Sequence, residues 1–168
     1  GNENEIKRLL SKYQNLLTAK DKKNRNGLHL SCIYGHLRVT QVFIEEYSID
    51  ITETDCEGMN ALHYAVLYDH LDIVQYLISN TSINVHQLTN NHENILIIAC
   101  QAGHLTLLEY FQTIHLSFEM LTADQENLLH ICSRHGYIDV LQFLLNQNLS
   151  LSHQNKLSQY PLHVACYE

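Results

Sequence analysis

Residues 58–79, GMNALHYAVLYDHLDIVQYLIS, decide how the rest of the chain is read. Behind Asn60, the residues Leu62, Ala65 and Val66 recur at helical spacing. Behind Asp69-His70, Leu71, Ile73, Val74, Leu77 and Ile78 do the same. An asparagine ahead of the first run can satisfy backbone N–H groups that a helix start leaves open. The stretch therefore reads as two short helices joined by a tight turn. Neither is stable by itself, because isolated helices under about 12–15 residues are marginal in water. Each apolar face needs a neighbour on both flanks.

The chain supplies those neighbours by repeating itself. Leu62-His63 returns as Leu28-His29, Leu129-His130 and Leu162-His163, with Leu96-Ile97 in the remaining slot. The leucines stand 34, 34, 33 and 33 residues apart. The linking pair returns as Gly35-His36, Gly103-His104 and Gly136-Tyr137. The second helix aligns as HLRVTQVFI, HLDIVQYLI, HLTLLEYFQ and YIDVLQFLL. Asn26, Asn94 and Asn127 share the slot of Asn60, and Tyr160 takes it last. Two residues earlier stand Asn24, Gly58, His92, Gln125 and Ser158, in a turn whose left-handed backbone suits glycine or asparagine and strains glutamine.

The period and the cores Leu62-His63-Tyr64-Ala65 and Leu162-His163-Val164-Ala165 resemble the ankyrin repeat. The resemblance covers essentially the whole chain. It implies an all-α ankyrin-repeat solenoid of helix–turn–helix repeats with hairpin-like turns, four full repeats plus half-repeats at both ends. On that template residues 1–168 form a single ankyrin-repeat domain. Residues 1–20 give the second helix of a partial repeat, with Gly1-Asn2 in the linking slot and Ile6, Leu9 and Leu10 in the places of Thr40, Phe43 and Ile44. Full repeats occupy 21–53, 54–87, 88–119 and 120–153, and 154–168 give the first helix of a last partial repeat. Leu162, Val164 and Ala165 then lack a second helix over them, which reads as a segment of a larger protein. Asparagine replaces the threonine of the ankyrin signature, and its proline is kept only at Pro161, so the first turns are less preorganised.

Composition narrows the class further. No apolar run approaches the roughly 20 residues of a membrane span. Of five cysteines, Cys32, Cys100 and Cys166 share one small core slot and Cys132 takes the slot beside it. Packed helices lie about 8–10 Å apart, beyond the reach of a disulfide. The cysteines are expected as buried thiols of an intracellular, cytoplasmic protein, with Cys56 in a turn as the exception. The net charge of −8 is uneven: residues 1–40 hold eight Lys/Arg against three acids, and residues 41–168 hold two against fifteen. Lys7, Arg8, Lys12, Lys20, Lys22, Lys23 and Arg25 make a basic cluster that would meet an acidic partner at the N-terminal end. The acidic remainder repels phosphate, which argues against nucleic acid.

Twelve histidines invite a metal reading. Seven of them sit at repeat positions one helix spacing apart, too far to share an ion at about 2 Å. They are expected to bond turn backbone instead. No catalytic string such as H-E-x-x-H or G-x-S-x-G occurs. The expectation is a monomer with no enzyme activity, cofactor, metal or membrane insertion.

Binding to another protein remains. In the ankyrin family partners dock on the concave side, formed by the hairpin tips and the exposed face of the first helix. Carried over, this implies Lys22, Lys23, Arg25, Ile33 and Tyr34 in repeat 1, and Glu57, Met59, Leu67 and Tyr68 in repeat 2. The later repeats contribute Gln101, Arg134 and His135. Tyrosine, methionine and arginine are what interface cores favour. The expected role is a scaffold or targeting module. The alternatives are a recruiting or regulatory arm of a catalytic or channel-forming protein, or a freestanding inhibitor of an enzyme such as a kinase.

Overall fold

A computed structural model describes residues 3–166, so the linking pair expected at Gly1-Asn2 lies outside the described residues. Among the described residues there are ten α-helices and no strand. They are α1 (Glu3–Lys12), α2 (Gly27–Ile33), α3 (Leu37–Glu45), α4 (Ala61–Leu67), α5 (Leu71–Asn80), α6 (Ile95–Ala102), α7 (Leu105–Thr113), α8 (Leu128–His135), α9 (Ile138–Leu145) and α10 (Pro161–Ala165). Four helix pairs follow one another, with a lone helix on either side. This is the all-α repeat architecture that the internal repeat implies.

The helix starts are built as their residue types demand. The side chains of Asn26, Asn60, Asn94 and Asn127 each accept the N–H of the residue three positions on. At three of the four caps, histidine closes the ring in return: Nδ1 of His29, His63 and His130 accepts the N–H of the capping asparagine. The far nitrogen of each ring then donates to a backbone carbonyl of the next stretch of chain, Glu53, Gln87 and Gln159 at 3.0–3.2 Å. One imidazole thus caps its own helix and ties down the following segment, the backbone role expected of it.

Ahead of these caps the chain makes hairpin turns. Asp21 N–H bonds Arg25 O, Asp55 bonds Met59, Thr122 bonds Glu126 and Asn155 bonds Gln159, at 2.9–3.0 Å. Asn24, Gly58, His92, Gln125 and Ser158 all have positive φ, between 59° and 77°. The strained slot therefore keeps its geometry even where glutamine fills it. In the linking turn, Gly35 (φ +68°) is required twice over, since a Cβ there would lie 2.6 Å from the His70 ring. Asp69 holds the same turn at φ 58°.

The chain divides into two compact units, Gly1–Asn91 and His92–Glu168. In the first, α2 packs on α3 and α4, α4 on α5, and α1 and α5 on α3. Its core is Leu28, Cys32, Leu62, Ala65, Val66, Ile73, Val74 and Leu77, all essentially inaccessible. In the second, α8 packs on α6, α9 and α10, and α7 on α6 and α9, around Ile97, Cys100, Leu107, Leu108, Phe111, Leu129 and Leu144.

Two expectations need correction. In α1 it is Leu10 that is buried and Leu9 that is exposed, one position out of phase with buried Phe43. α1 lies against α3 and is followed by a 3₁₀ turn, Gln14–Leu17. Cys166 is exposed, unlike its repeat equivalents Cys32 and Cys100. Leu162 on the same short helix is 73% exposed where Leu28, Leu62, Leu96 and Leu129 are at most 3%. No described element covers that face of α10, so a core residue type stands on the surface.

Candidate functional site

The expected recognition positions fall on the hairpin tips and on the last residues of each first helix. Both places are set by the turns just described. At the tip of the first hairpin, the Asp21 carboxylate accepts the N–H groups of Lys23 and Arg25 at 2.9 Å. At the second, Asp55 does the same for Glu57 and Met59 at 2.8–2.9 Å. Tyr34 and Tyr68 are the C-terminal caps of α2 and α4, so each ring projects where its helix stops.

In the first unit these positions leave an aromatic and aliphatic surface. Tyr34 is 67% exposed, Tyr68 48% and Leu67 36%. The rings of Tyr34 and His36 lie 6.2 Å apart, tilted by 30°. Ile33 and Met59, expected on this surface, are instead buried at 8% exposure each. The Nε2 of His70 donates to the Ile33 carbonyl at 3.1 Å, which draws the next linking turn across that helix end. Met59 is held in the hairpin by two bonds to Asp55, one through each main-chain polar group.

The basic cluster is mostly spoken for. Lys7 pairs with Glu3 and Glu46, Arg8 with Glu5, Lys20 with Glu53, Lys23 with Glu57 and Arg25 with Asp21. Lys12 lies over the Tyr13 ring at 5.2 Å. Lys22 alone of the seven has neither an ion pair nor a ring contact among the described residues. The hydrogen bond from Arg25 holds the Asp21 carboxyl below the usual range and, in return, raises the guanidinium. Excess charge counted along the sequence is therefore not excess charge on the surface: Glu46, Glu53 and Glu57, from the acidic part of the chain, neutralise it.

In the second unit Gln101 and Arg134, in the slot of Leu67, are polar and paired internally. Gln101 donates to Glu93 at 2.8 Å. Arg134 grips Glu126 with both terminal nitrogens, and Asn155 also donates to that carboxylate, at 3.3 Å. Burial works to raise the Glu126 carboxyl, but the Arg134 and Asn155 bonds outweigh it and hold it low. His135 is exposed and stacks on Tyr137 at 5.9 Å.

One polar group was not singled out from the sequence. Tyr64, in α4, donates its hydroxyl to the buried Asp55 carboxylate at 2.6 Å. Burial, with that bond to a carboxylate, pushes the phenol well above its usual range. An aspartate opening the hairpin nine residues ahead of a tyrosine was the available signal. Among the described residues no buried side-chain nitrogen or oxygen lacks a partner. Nor do any three His, Cys, Asp or Glu side chains there converge to hold a metal. No helix among them is long and apolar enough to cross a membrane. What the arrangement offers is a surface: exposed tyrosines on a frame whose described buried polar groups are paired.

The family described as ankyrin repeats (3 copies) matches the chain over residues 1–88 and 82–155. No curated protein matches it. Ankyrin repeats are generally protein–protein interaction modules and typically non-catalytic.

Proposed function

The chain belongs to the ankyrin-repeat family, and from that premise we propose that it recognises a partner protein through the first unit, with Tyr34, Leu67 and Tyr68 at the centre of contact. One observation carries the reading: three large side chains stand exposed at the ends of α2 and α4, whereas Gln101 and Arg134, the counterparts of Leu67, are tied up by internal bonds. Tyrosine gives large, stiff contact area for little lost rotamer freedom, which makes it a frequent hot spot. Lys22, Lys23 and Glu57 lie at the rim, where charges steer encounter more than they hold it. The role is that of a scaffold or targeting module. Free thiols at all five cysteines support a reducing, intracellular setting.

An acidic partner at the N-terminal end is a weaker part of this reading, since five of the seven cations it would meet are already ion-paired. The test is affinity purification with the parent chain beside a Tyr34→Ala/Tyr68→Ala variant, both checked for helical content. A protein retained by the parent and lost by the variant is the expected result. Identical sets of retained proteins would overturn the reading.

A further inference from the structure

We infer that a cleft in the second unit takes the side chain of a lysine from a partner protein. The cleft has a volume of about 340 Å³ and lies between residues 119–121 and 148–153. Met120, Leu121 and Leu149 give it apolar walls, and Glu119 stands beside them in the lining. The cleft is held open by its own frame. The Asn127 side chain, fixed by capping α8, donates to the Ser150 carbonyl at 2.9 Å. His153 donates through Nε2 to the Gln125 carbonyl at 2.9 Å. Both bonds tie the second wall to the hairpin that the first wall runs into.

The first unit shows what the equivalent place holds when the chain fills it. Counted from the hairpins, Leu121 stands in the position of Lys20, and His153 in that of Glu53. Lys20 reaches across to Glu53, its Nζ 3.3 Å from the carboxylate. Leucine and histidine make no such pair, so the second unit lacks the ammonium group that spans the first. A carboxylate is nevertheless at hand. Glu119 is exposed and has no ion pair among the described residues. The described lining holds no other acid and no Lys or Arg. A lysine stem can lie along Met120, Leu121 and Leu149 while its head meets Glu119, as long cationic side chains do on apolar surface. An acidic side chain would be repelled, and an aliphatic one would leave the carboxylate unanswered. Ankyrin repeats generally bind proteins, which makes the source of the lysine a partner chain.

The experiment titrates two probes into the isotope-labelled chain while backbone amide shifts are followed. They are acetyl-Ala-Lys-Ala-amide and its uncharged counterpart, acetyl-Ala-norleucine-Ala-amide. The lysine peptide is expected to move the amides of Met120, Leu121 and Leu149 saturably. Glu119→Gln should weaken its binding about threefold, as the loss of one exposed charge pair does. A Leu121→Lys/His153→Glu variant restores the pair of the first unit and should abolish the shifts, with helical content unchanged. Equal shifts from the norleucine peptide, or indifference to Glu119→Gln, overturn the choice of lysine. n-Butylammonium binding as tightly as the peptide overturns the protein source. Shifts of the same size around the exposed Glu109 and Asp139 mean general attraction, and the inference fails. If no probe moves the three amides, the site is withdrawn. None of these outcomes bears on Tyr34 and Tyr68, which lie in the other unit.

Discussion

In the first unit the ends of the first helices carry Tyr34, Leu67 and Tyr68 on the surface. In the second, Gln101 and Arg134 hold the slot of Leu67 and are bonded to Glu93 and Glu126, while Ala102 and His135 hold the slot of the two tyrosines. At the slot of Ile33, Leu67, Gln101 and Arg134 the hairpin residue eight places earlier makes the difference. Where it is glutamate, as at 93 and 126, it reaches the helix end and closes the slot. Where it is Arg25 or Met59, the helix end receives no such bond from it, because Arg25 turns to Asp21 and Met59 is buried. Both solutions leave the packed strip between helices untouched, since Leu28, Leu62, Leu96 and Leu129 are equally buried. A repeat can therefore spend one surface slot on internal bracing or leave it for a partner without altering its core.

The sharpest way to break this comparison is to remove the brace. Arg134→Ala strands the Glu126 carboxylate, whose side chain is only 9% exposed. The Arg134 head is part-exposed and water screens the pair, so the expected loss is about 1–2 kcal/mol, read by urea unfolding. Leu67→Ala in the equivalent slot should lose less than about 1 kcal/mol, being already one-third exposed. Equal losses would mean that the pair braces nothing.

Acid should next affect both units and then distinguish them. Burial lowers His29 and His130 below their usual range. Their unfolded forms, with a value of about 6.5, take up protons first. Stability is thus complete above about pH 6.5 and is lost as pH falls toward the folded values. A proton on Nδ1 also abolishes its bond from Asn26 or Asn127. Glu126, held low in the folded state, gives the second unit a further loss as pH drops below about 4.5, and Asp21 gives the first unit one only below about 3.8. Amide exchange, corrected for the intrinsic effect of pH, should show protection falling in both units from pH 7 to 5.5 and then faster in the second. Constant protection down to pH 5 contradicts the histidine caps.

A smaller effect is expected from the tyrosines. Tyr68→Ala should change folding stability by less than about 1 kcal/mol, as exposed positions do. A thermal melt decides between surface and core: a loss of about 3 kcal/mol would place Tyr68 in the packing. The smallest effect, on stability, is that of thiol labelling. Cys56 and Cys166 should react quickly, and Cys32, Cys100 and Cys132 slowly, because burial raises Cys32 to about 12 and Cys100 also well above its usual value. Three fast thiols would mean that one of the two cores is open.

By itself the sequence determined the repeat, its helix pairs, the asparagine caps and the five left-handed turn residues. Each follows from local chemistry: a 3.6-residue apolar period, an amide at a helix start, a backbone angle fixed by a hairpin. That the Leu-His histidines bond turn backbone was legible too, whereas their bonding at both ends of the ring, to the cap three residues back and to the next turn, came from the structure. Tertiary structure alone decided which candidate side chains are available. Ile33 and Met59 went inside, and Arg25, Lys23 and Arg134 found acids four, 34 and eight residues away. Period and composition show which slot a residue holds, but the exposure of that slot depends on what the next turn lays over it. Whether a charge is free likewise depends on which distant carboxylate the fold brings within about 3 Å, and that distance exists only once the helices are packed.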